Sequence, residues 1–309
     1  MTLNEAGQKA VARPRKKRYI VAAILLGLIA VYAILGAVFW KIGMPAFMFG
    51  YKKNDNGGIT ITNYYGTYLH VHIPDKIDGL DVTEIGRRVF DNEFDPHSAK
   101  DKFKSLVCRN IREVRLPDTV EKIGSFAFHR CYNLTDVNIP SSLRETGECI
   151  FTFTSIKEIE LPEGMTKIEH LAFGYLPYLE KVTLPDRIEE LGDGAFADCN
   201  NLKEINLPDG LKIVNAYAFE YCKDLKEINL PDGLKKVGVF AFYGSALSKV
   251  TLPDSVEEIY DYAFANCNDL KEINVPDGLK KISSNAFLKS GLSDEQIQAF
   301  YDKAEEVID

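Results

Sequence analysis

The chain has 309 residues, 46% of them hydrophobic and 27% charged, with a formal net charge of −8. That is an ordinary composition for a folded protein, but the charge is divided: residues 1–18 hold six basic residues against one acidic, and the remainder 31 against 44. The acidic body argues against a nucleic-acid partner, because phosphate contacts need concentrated Lys and Arg.

Residues 1–18 read as a basic cytoplasmic tail ending in Arg13, Arg15, Lys16, Lys17 and Arg18. Tyr19 to Trp40 then run without a charge for 22 residues. As a helix they rise about 33 Å, the hydrocarbon thickness of a bilayer. Beyond them only Lys41, Lys52 and Lys53 follow closely, so the positive-inside bias puts the N-terminus in the cytoplasm and everything after residue 40 outside. The rival is a cleaved signal peptide, which has a shorter apolar stretch and a small-x-small cleavage site. Leu35, two residues before Ala37, is not small. The expectation is an uncleaved single-pass anchor, with Tyr32, Phe39 and Trp40 near the outer interface.

Residues 41–72 are expected to form a linker and N-terminal β cap. Phe47–Lys52 and Ile59–Tyr65 flank Asn54-Asp-Asn-Gly-Gly58, a hairpin signal. The same five residues have oxygen ligands reminiscent of a calcium loop but lack its spaced acids and terminal Glu. His70 and His72 lie on one face of an expected strand, where a third ligand such as His97 would be needed to hold a metal. The reading preferred is a polar strand face, with no metal site.

From 73 to 291 the chain repeats. Pro117, Pro140, Pro162, Pro185, Pro208, Pro231, Pro253 and Pro276 are spaced by 23, 22, 23, 23, 23, 22 and 23 residues. One, three and six residues before each stands an aliphatic side chain, as in Leu207, Ile205 and Leu202. Alternation with polar residues is the period of a strand buried on one face, so each coil contributes one strand and stacked coils a parallel sheet. Pro ends the strand and opens a turn, most plainly in Pro208-Asp-Gly210. A second extended segment buries Leu211 and Val214, and Ala218-Phe219 is expected on a helical turn pressed against the next coil, with the Phe rings stacked as core. Ile150-Phe151 alone departs from the Ala-Phe pattern. Residues 91–104 are out of phase and read as a surface insertion. In 292–309, Ser293-Asp-Glu-Gln296 is a capping box that starts a helix to about residue 308, with Ile297, Phe300, Tyr301 and Ala304 as its apolar stripe.

The unit Leu202-x-x-Ile205-x-Leu207-Pro208-x-x-Leu211-x-x-Val214-x-x-x-Ala218-Phe219-x-x-Cys222 resembles the BspA-type (treponemal) leucine-rich repeat of bacterial and some protozoal surface proteins, over roughly residues 59–291. The resemblance implies a curved solenoid at the cell surface, used for adhesion or partner binding. It brings no catalytic residues to carry over. The expected fold is therefore a leucine-rich-repeat solenoid, β-rich α/β, between one transmembrane helix and a C-terminal capping helix.

Cys108, Cys131, Cys199, Cys222 and Cys267 share one repeat position, as expected for buried small-residue packing; bridges 108–131 and 199–222 remain the alternative in an oxidising compartment. No nucleotide, nucleophile or metalloprotease motif is present, and neither catalytic residues nor a cofactor are assigned. Two sets of residues are candidates for partner binding. The strand face offers Glu158, Glu160, Lys181, Thr183, Glu204, Asn206, Glu227, Asn229, Lys249 and Thr251. The second set is Tyr217, Phe240 and Tyr262, at one position in successive coils, with Tyr175, Tyr221 and Tyr243 nearby. The leading expectation is a non-enzymatic, membrane-anchored surface protein that binds a protein or glycan. A structural or signalling subunit of a membrane complex is the alternative.

Overall fold

Each repeat of the sequence closes one coil, because its two extended segments are separated by a Pro turn and an Ala-Phe turn and every apolar column points inward. The computed structural model describes residues 15–91 and 107–309. The tail to residue 14, residues 92–104 of the expected insertion, and His97 lie outside the described residues.

Helix α1 (Arg15–Ile42) contains the apolar stretch. It ends at Gly43, whose φ of 90° strains any side chain, and a Cβ there would stand 3.3 Å from Pro74 Cα. Strands β1 (Phe49–Lys53) and β2 (Ile59–Tyr64) pair antiparallel as the expected hairpin. Asn54 spends its side-chain oxygen on Gly58 N–H at 2.9 Å and its amide on Thr83, which makes this a turn.

Two parallel ladders run along the solenoid. The first stacks His70–His72, Glu113–Arg115 and Asp136–Val137; then Glu158–Glu160, Lys181–Thr183 and Glu204–Ile205; then Lys249–Val250 and Glu272–Ile273. The second starts on β2, continues through Leu80–Ile85, Lys122–Ile123 and Glu145–Thr146, and later through Ile213–Val214, Lys236–Val237, Glu258–Ile259 and Lys281–Ser283.

The Ala-Phe segment is not the helical turn that the small residue beside a ring suggested. Residues on both sides of it take the left-handed conformation, Phe126 at φ 61° and Arg130 at 60° in one coil, Tyr217 at 59° and Tyr221 at 54° in another. The reason is intercoil bonding: this backbone turns the N–H of Tyr217, Phe219 and Tyr221 toward the carbonyls of Val239, Ala241 and Tyr243, at 2.8–2.9 Å. The gain of those bonds offsets the cost of placing non-glycine residues at positive φ.

Inside, the Phe rings form one continuous stack from Phe90 to Phe287. Tyr64 covers it at one end, 5.5 Å from Phe90, and Phe300 at the other, 4.7 Å from Phe287. A single coil orders more backbone than its few apolar groups can offset, so such covered ends are what allow the array to hold. The C-terminal cover differs from the expected long helix. Helix α2 (Asp294–Lys303) begins with the capping box at Ser293 and stops at Ala304, and Glu306–Ile308 form a strand on Lys281–Ser283. The last strand of the second ladder would otherwise expose an unpaired edge, and a helix continued to residue 308 would leave it so.

Candidate functional site

The outward residues of the first ladder make the face on which the strand candidates sit, and the structure divides them by what they already bond. Lys181 lies 3.1 Å from Glu204, and Lys249 2.8 Å from Glu272, each pair joining neighbouring coils. The Lys249 ammonium, hydrogen-bonded to Glu272, holds that carboxyl below its ordinary range. Glu158, Glu160 and Glu227 make no ion pair among the described residues.

Asn206 is a ladder element. Its Oδ1 accepts from Leu184 N–H and its Nδ2 donates to Leu184 O, both at 2.8 Å. Asn138 does the same to Leu116, and Asn274 to Leu252. Where Thr183 occupies the position, Leu161 N–H instead donates directly to the Thr183 carbonyl at 3.0 Å. The amide side chain thus replaces a backbone pair, which is why the strand stops at Ile205 in that coil and runs on to Thr183 in its neighbour. Asn229 pairs through its backbone with Thr251.

One junction along this face is splayed. Between the coil of Pro140 and the coil of Pro162 both ladders are interrupted, Asp136–Val137 facing Glu158–Glu160 and Glu145–Thr146 facing Lys167–Ile168 without pairing. The Ala-Phe turns still bond across it, from Phe151 N–H to Ala172 O and Phe153 N–H to Tyr175 O. The guanidinium of Arg144 occupies the gap. It donates to Ser141 O and Leu143 O at 2.9 Å, and a Cβ on Gly164 would stand only 2.0 Å from its Nη1. The result is a cleft of about 530 Å³ with Val137, Ile139, Ile156 and Ile159 as apolar lining and Glu158, Glu160 and Glu163 as carboxylates. Somewhat smaller depressions, of about 430 and 470 Å³, bring together Lys181, Thr183, Glu204, Asn206, Glu227 and Asn229, and then Glu227, Asn229, Lys249 and Thr251.

Sequence reasoning found Glu158 and Glu160 but missed Val137, Ile139, Arg144 and Glu163. Two signals fell on this junction: the 22-residue interval from Pro140 to Pro162, and Ile150 in place of Ala. The first is not sufficient, because Pro231 to Pro253 is also 22 residues and the second ladder continues across it.

The aromatic candidates stack on one another, Tyr217 on Phe240 at 5.2 Å and Phe240 on Tyr262 at 4.8 Å. Tyr243 packs edge-on against Phe240 and Tyr221. Tyr175 does not join this set; it packs on Phe153 at 5.4 Å. Much of the ring area is thereby spent between coils, although Tyr217 keeps 41% of its surface exposed.

The other chemical suspects have structural partners. His70 Nδ1 lies 3.0 Å from Glu113, and His72 Nδ1 2.8 Å from the Trp40 carbonyl. Among the described residues no group of three metal-ligating side chains converges. The thiols of Cys199, Cys222 and Cys267 are unbridged and buried, and each donates to the carbonyl of the Phe one coil earlier, Phe173, Phe196 and Phe242, at 3.1–3.3 Å. Burial pushes the Cys199 thiol up to about 12.

Comparison with known proteins gives a consistent picture. A family model for the BspA type leucine rich repeat region matches residues 99–209 and 189–306, in six copies. A leucine-rich repeat protein from Bacteroides ovatus is 30% identical, with 76% of this chain and 69% of that one covered and a TM-score of 0.56. The leucine rich repeat protein of T. pallidum is 25% identical, covering 86% of this chain and 99% of its own, with a TM-score of 0.41. No curated protein matches the chain.

Proposed function

Since this chain belongs to the BspA-type leucine-rich-repeat family, we propose that it is a membrane-anchored binding protein without catalytic activity, presenting its first ladder face outside the cytoplasm to a protein or glycan partner. The observation that carries the reading is the splayed junction. An apolar-lined cleft with three carboxylates, none of them in an ion pair among the described residues and with the Arg144 guanidinium at its edge, is a poor surface to leave in water, and a good one to receive a side chain with an aliphatic stem and a positive head. The second ladder's outer face contrasts with it, being laced with its own pairs, Lys122–Glu145 at 2.9 Å, Lys236–Glu258 at 2.9 Å and Lys235–Glu257 at 2.7 Å. Such exposed pairs add little stability, but they leave little charge for a partner.

The anchor reading rests on Val21–Ile42, whose mean hydropathy of 2.7 and lack of burial suit a lipid surroundings. The test is photo-crosslinking on intact cells from a probe placed at Thr183. A partner captured there, and lost in Glu158→Lys/Glu160→Lys, is the expected result. Capture that survives deletion of residues 41–309 would move the binding surface to the helix, as for a subunit of a membrane complex, and end this reading.

A further inference from the structure

The membrane helix does not leave the solenoid as a free tether. Tyr32 stacks on Tyr68 with ring centroids 4.5 Å apart and planes 10° from parallel, and its hydroxyl donates to the Thr67 carbonyl at 2.8 Å. Gly36, one turn on, lets the Tyr68 ring close in: a Cβ there would lie 3.0 Å from Tyr68 Cε1. Phe39 meets the same ring edge-on at 5.6 Å. Four groups therefore fix the loop before His70 against the helix.

This contact sits at an unexpected depth. Counting from Tyr19, the first residue after the basic cluster, a hydrocarbon layer of about 30 Å takes about 20 helical residues and ends near Val38. Tyr32 is then about 9 Å inside it, at 1.5 Å per residue. Either the stack breaks or the loop enters the lipid with it. The chemistry favours entry, because the Tyr32 hydroxyl would otherwise lack a partner in hydrocarbon and here has the Thr67 carbonyl. The apolar residues left exposed at this end of the solenoid are Ile42 and Phe47, each 76% exposed, with Tyr65 at 54%, Leu69 at 41% and Tyr51 at 39%. Tyr65 and Phe47 share one edge, since Tyr65 N–H donates to the carbonyl of Met48. The charged groups nearest them are paired: Arg115 stacks over Trp40 at 4.2 Å, and Glu113, which lines one pocket with Leu69 and Tyr32, meets His70 at 3.0 Å.

We propose that the first edge of the solenoid, Thr67–Leu69 with Phe47 and Tyr65, is set into the outer leaflet, so that the lipid bilayer is a second partner of the solenoid and fixes its tilt. The proposal rests on the helix being an uncleaved anchor. The immersed residues form the aromatic and aliphatic collar that favours the interfacial zone, and the Arg115–Trp40 pair marks its upper boundary.

Trp40 is the only tryptophan, so depth is readable by fluorescence. The full chain carrying Trp40→Phe is reconstituted into phosphatidylcholine vesicles with one new tryptophan, at Phe47 or at Leu69, or at Tyr178 as a solvent-exposed control. Lipids brominated high on the acyl chain are expected to quench the first two at least about twofold more than the control, as for rings held at interface depth, and acrylamide the reverse. If the vesicles float with the protein but Phe47→Trp and Leu69→Trp are both quenched by acrylamide and spared by brominated lipid, the anchor stands and the immersed edge is overturned. Protein that does not float with the vesicles overturns both.

Discussion

Phe151 and Phe173 stack with centroids 6.1 Å apart and planes 25° from parallel, wider and more tilted than Phe128 on Phe151 at 5.2 Å and 13°, or Phe173 on Phe196 at 5.8 Å and 11°. The core therefore opens at the same junction where both ladders part and Arg144 enters. A solenoid communicates only through neighbouring coils, so a weak junction is also its softest point. Amide hydrogen exchange is expected to show the Val137 N–H, which faces the parted junction, exchanging faster than that of Val182, which has a ladder strand on each side. Equal protection at the two sites would show that the junction is as tightly held as the rest.

Phe219 lies fully buried between Phe196 at 5.7 Å and Phe242 at 5.4 Å. Phe219→Ala is expected to lower unfolding stability by about 3–5 kcal/mol, as for other buried aromatic truncations. A loss under about 1 kcal/mol in denaturant melts would mean that the stack relaxes around the cavity at almost no cost.

Asn206 tests the amide rungs. Asn206→Ala leaves the buried N–H and carbonyl of Leu184 without partners and is expected to cost about 1–3 kcal/mol. Thr183→Ala, at the same repeat position but with a backbone bond in place, should stay within about 0.5 kcal/mol. Equal effects of the two substitutions would remove the distinction.

Thiolate is the reactive form of cysteine, and burial pushes Cys199 up to about 12 and Cys267 to about 11. Alkylation of the native chain near neutral pH is expected to modify the half-buried Cys149 first and to reach Cys199, Cys222 and Cys267 only on unfolding. Recovery of a peptide joined through Cys199 and Cys222 would contradict the unbridged arrangement.

Glu257 accepts from Lys235 and Lys280, each at 2.7 Å, and these two ammonium groups lower its carboxyl from 4.5 to about 2. Because the folded value lies below the unfolded one, the contribution is fully present above pH 4.5 and disappears as pH falls toward about 2. Carboxyl NMR should place the Glu257 midpoint below that of an exposed glutamate, and Lys280→Ala should raise it. A midpoint unmoved by that substitution would mean that the bridge does not persist in solution.

The periodicity of Pro, Leu and Ala-Phe was enough to read the coils, the first ladder, the Phe stack and the capping box, because each depends on local spacing and on which face of a segment is apolar. The long apolar helix was legible for the same reason. What spacing cannot carry is how one coil meets the next. Whether Asn206 solvates the face or serves as a rung depends on the distance to Leu184, and whether Tyr217 is free or stacked depends on Phe240. The left-handed turn flanking Ala218-Phe219 follows from hydrogen bonds to another coil. The strand at Glu306–Ile308 follows from the open edge of Lys281–Ser283. The cleft at Glu158 and Glu160, and the seat of Tyr68 on Tyr32, arise where segments distant in sequence meet. Apolar columns pull coils together without direction, so their spacing along the chain is enough to make them stack; hydrogen bonds and side-chain volume at each junction, where residues far apart in sequence meet, set how tightly and at what angle.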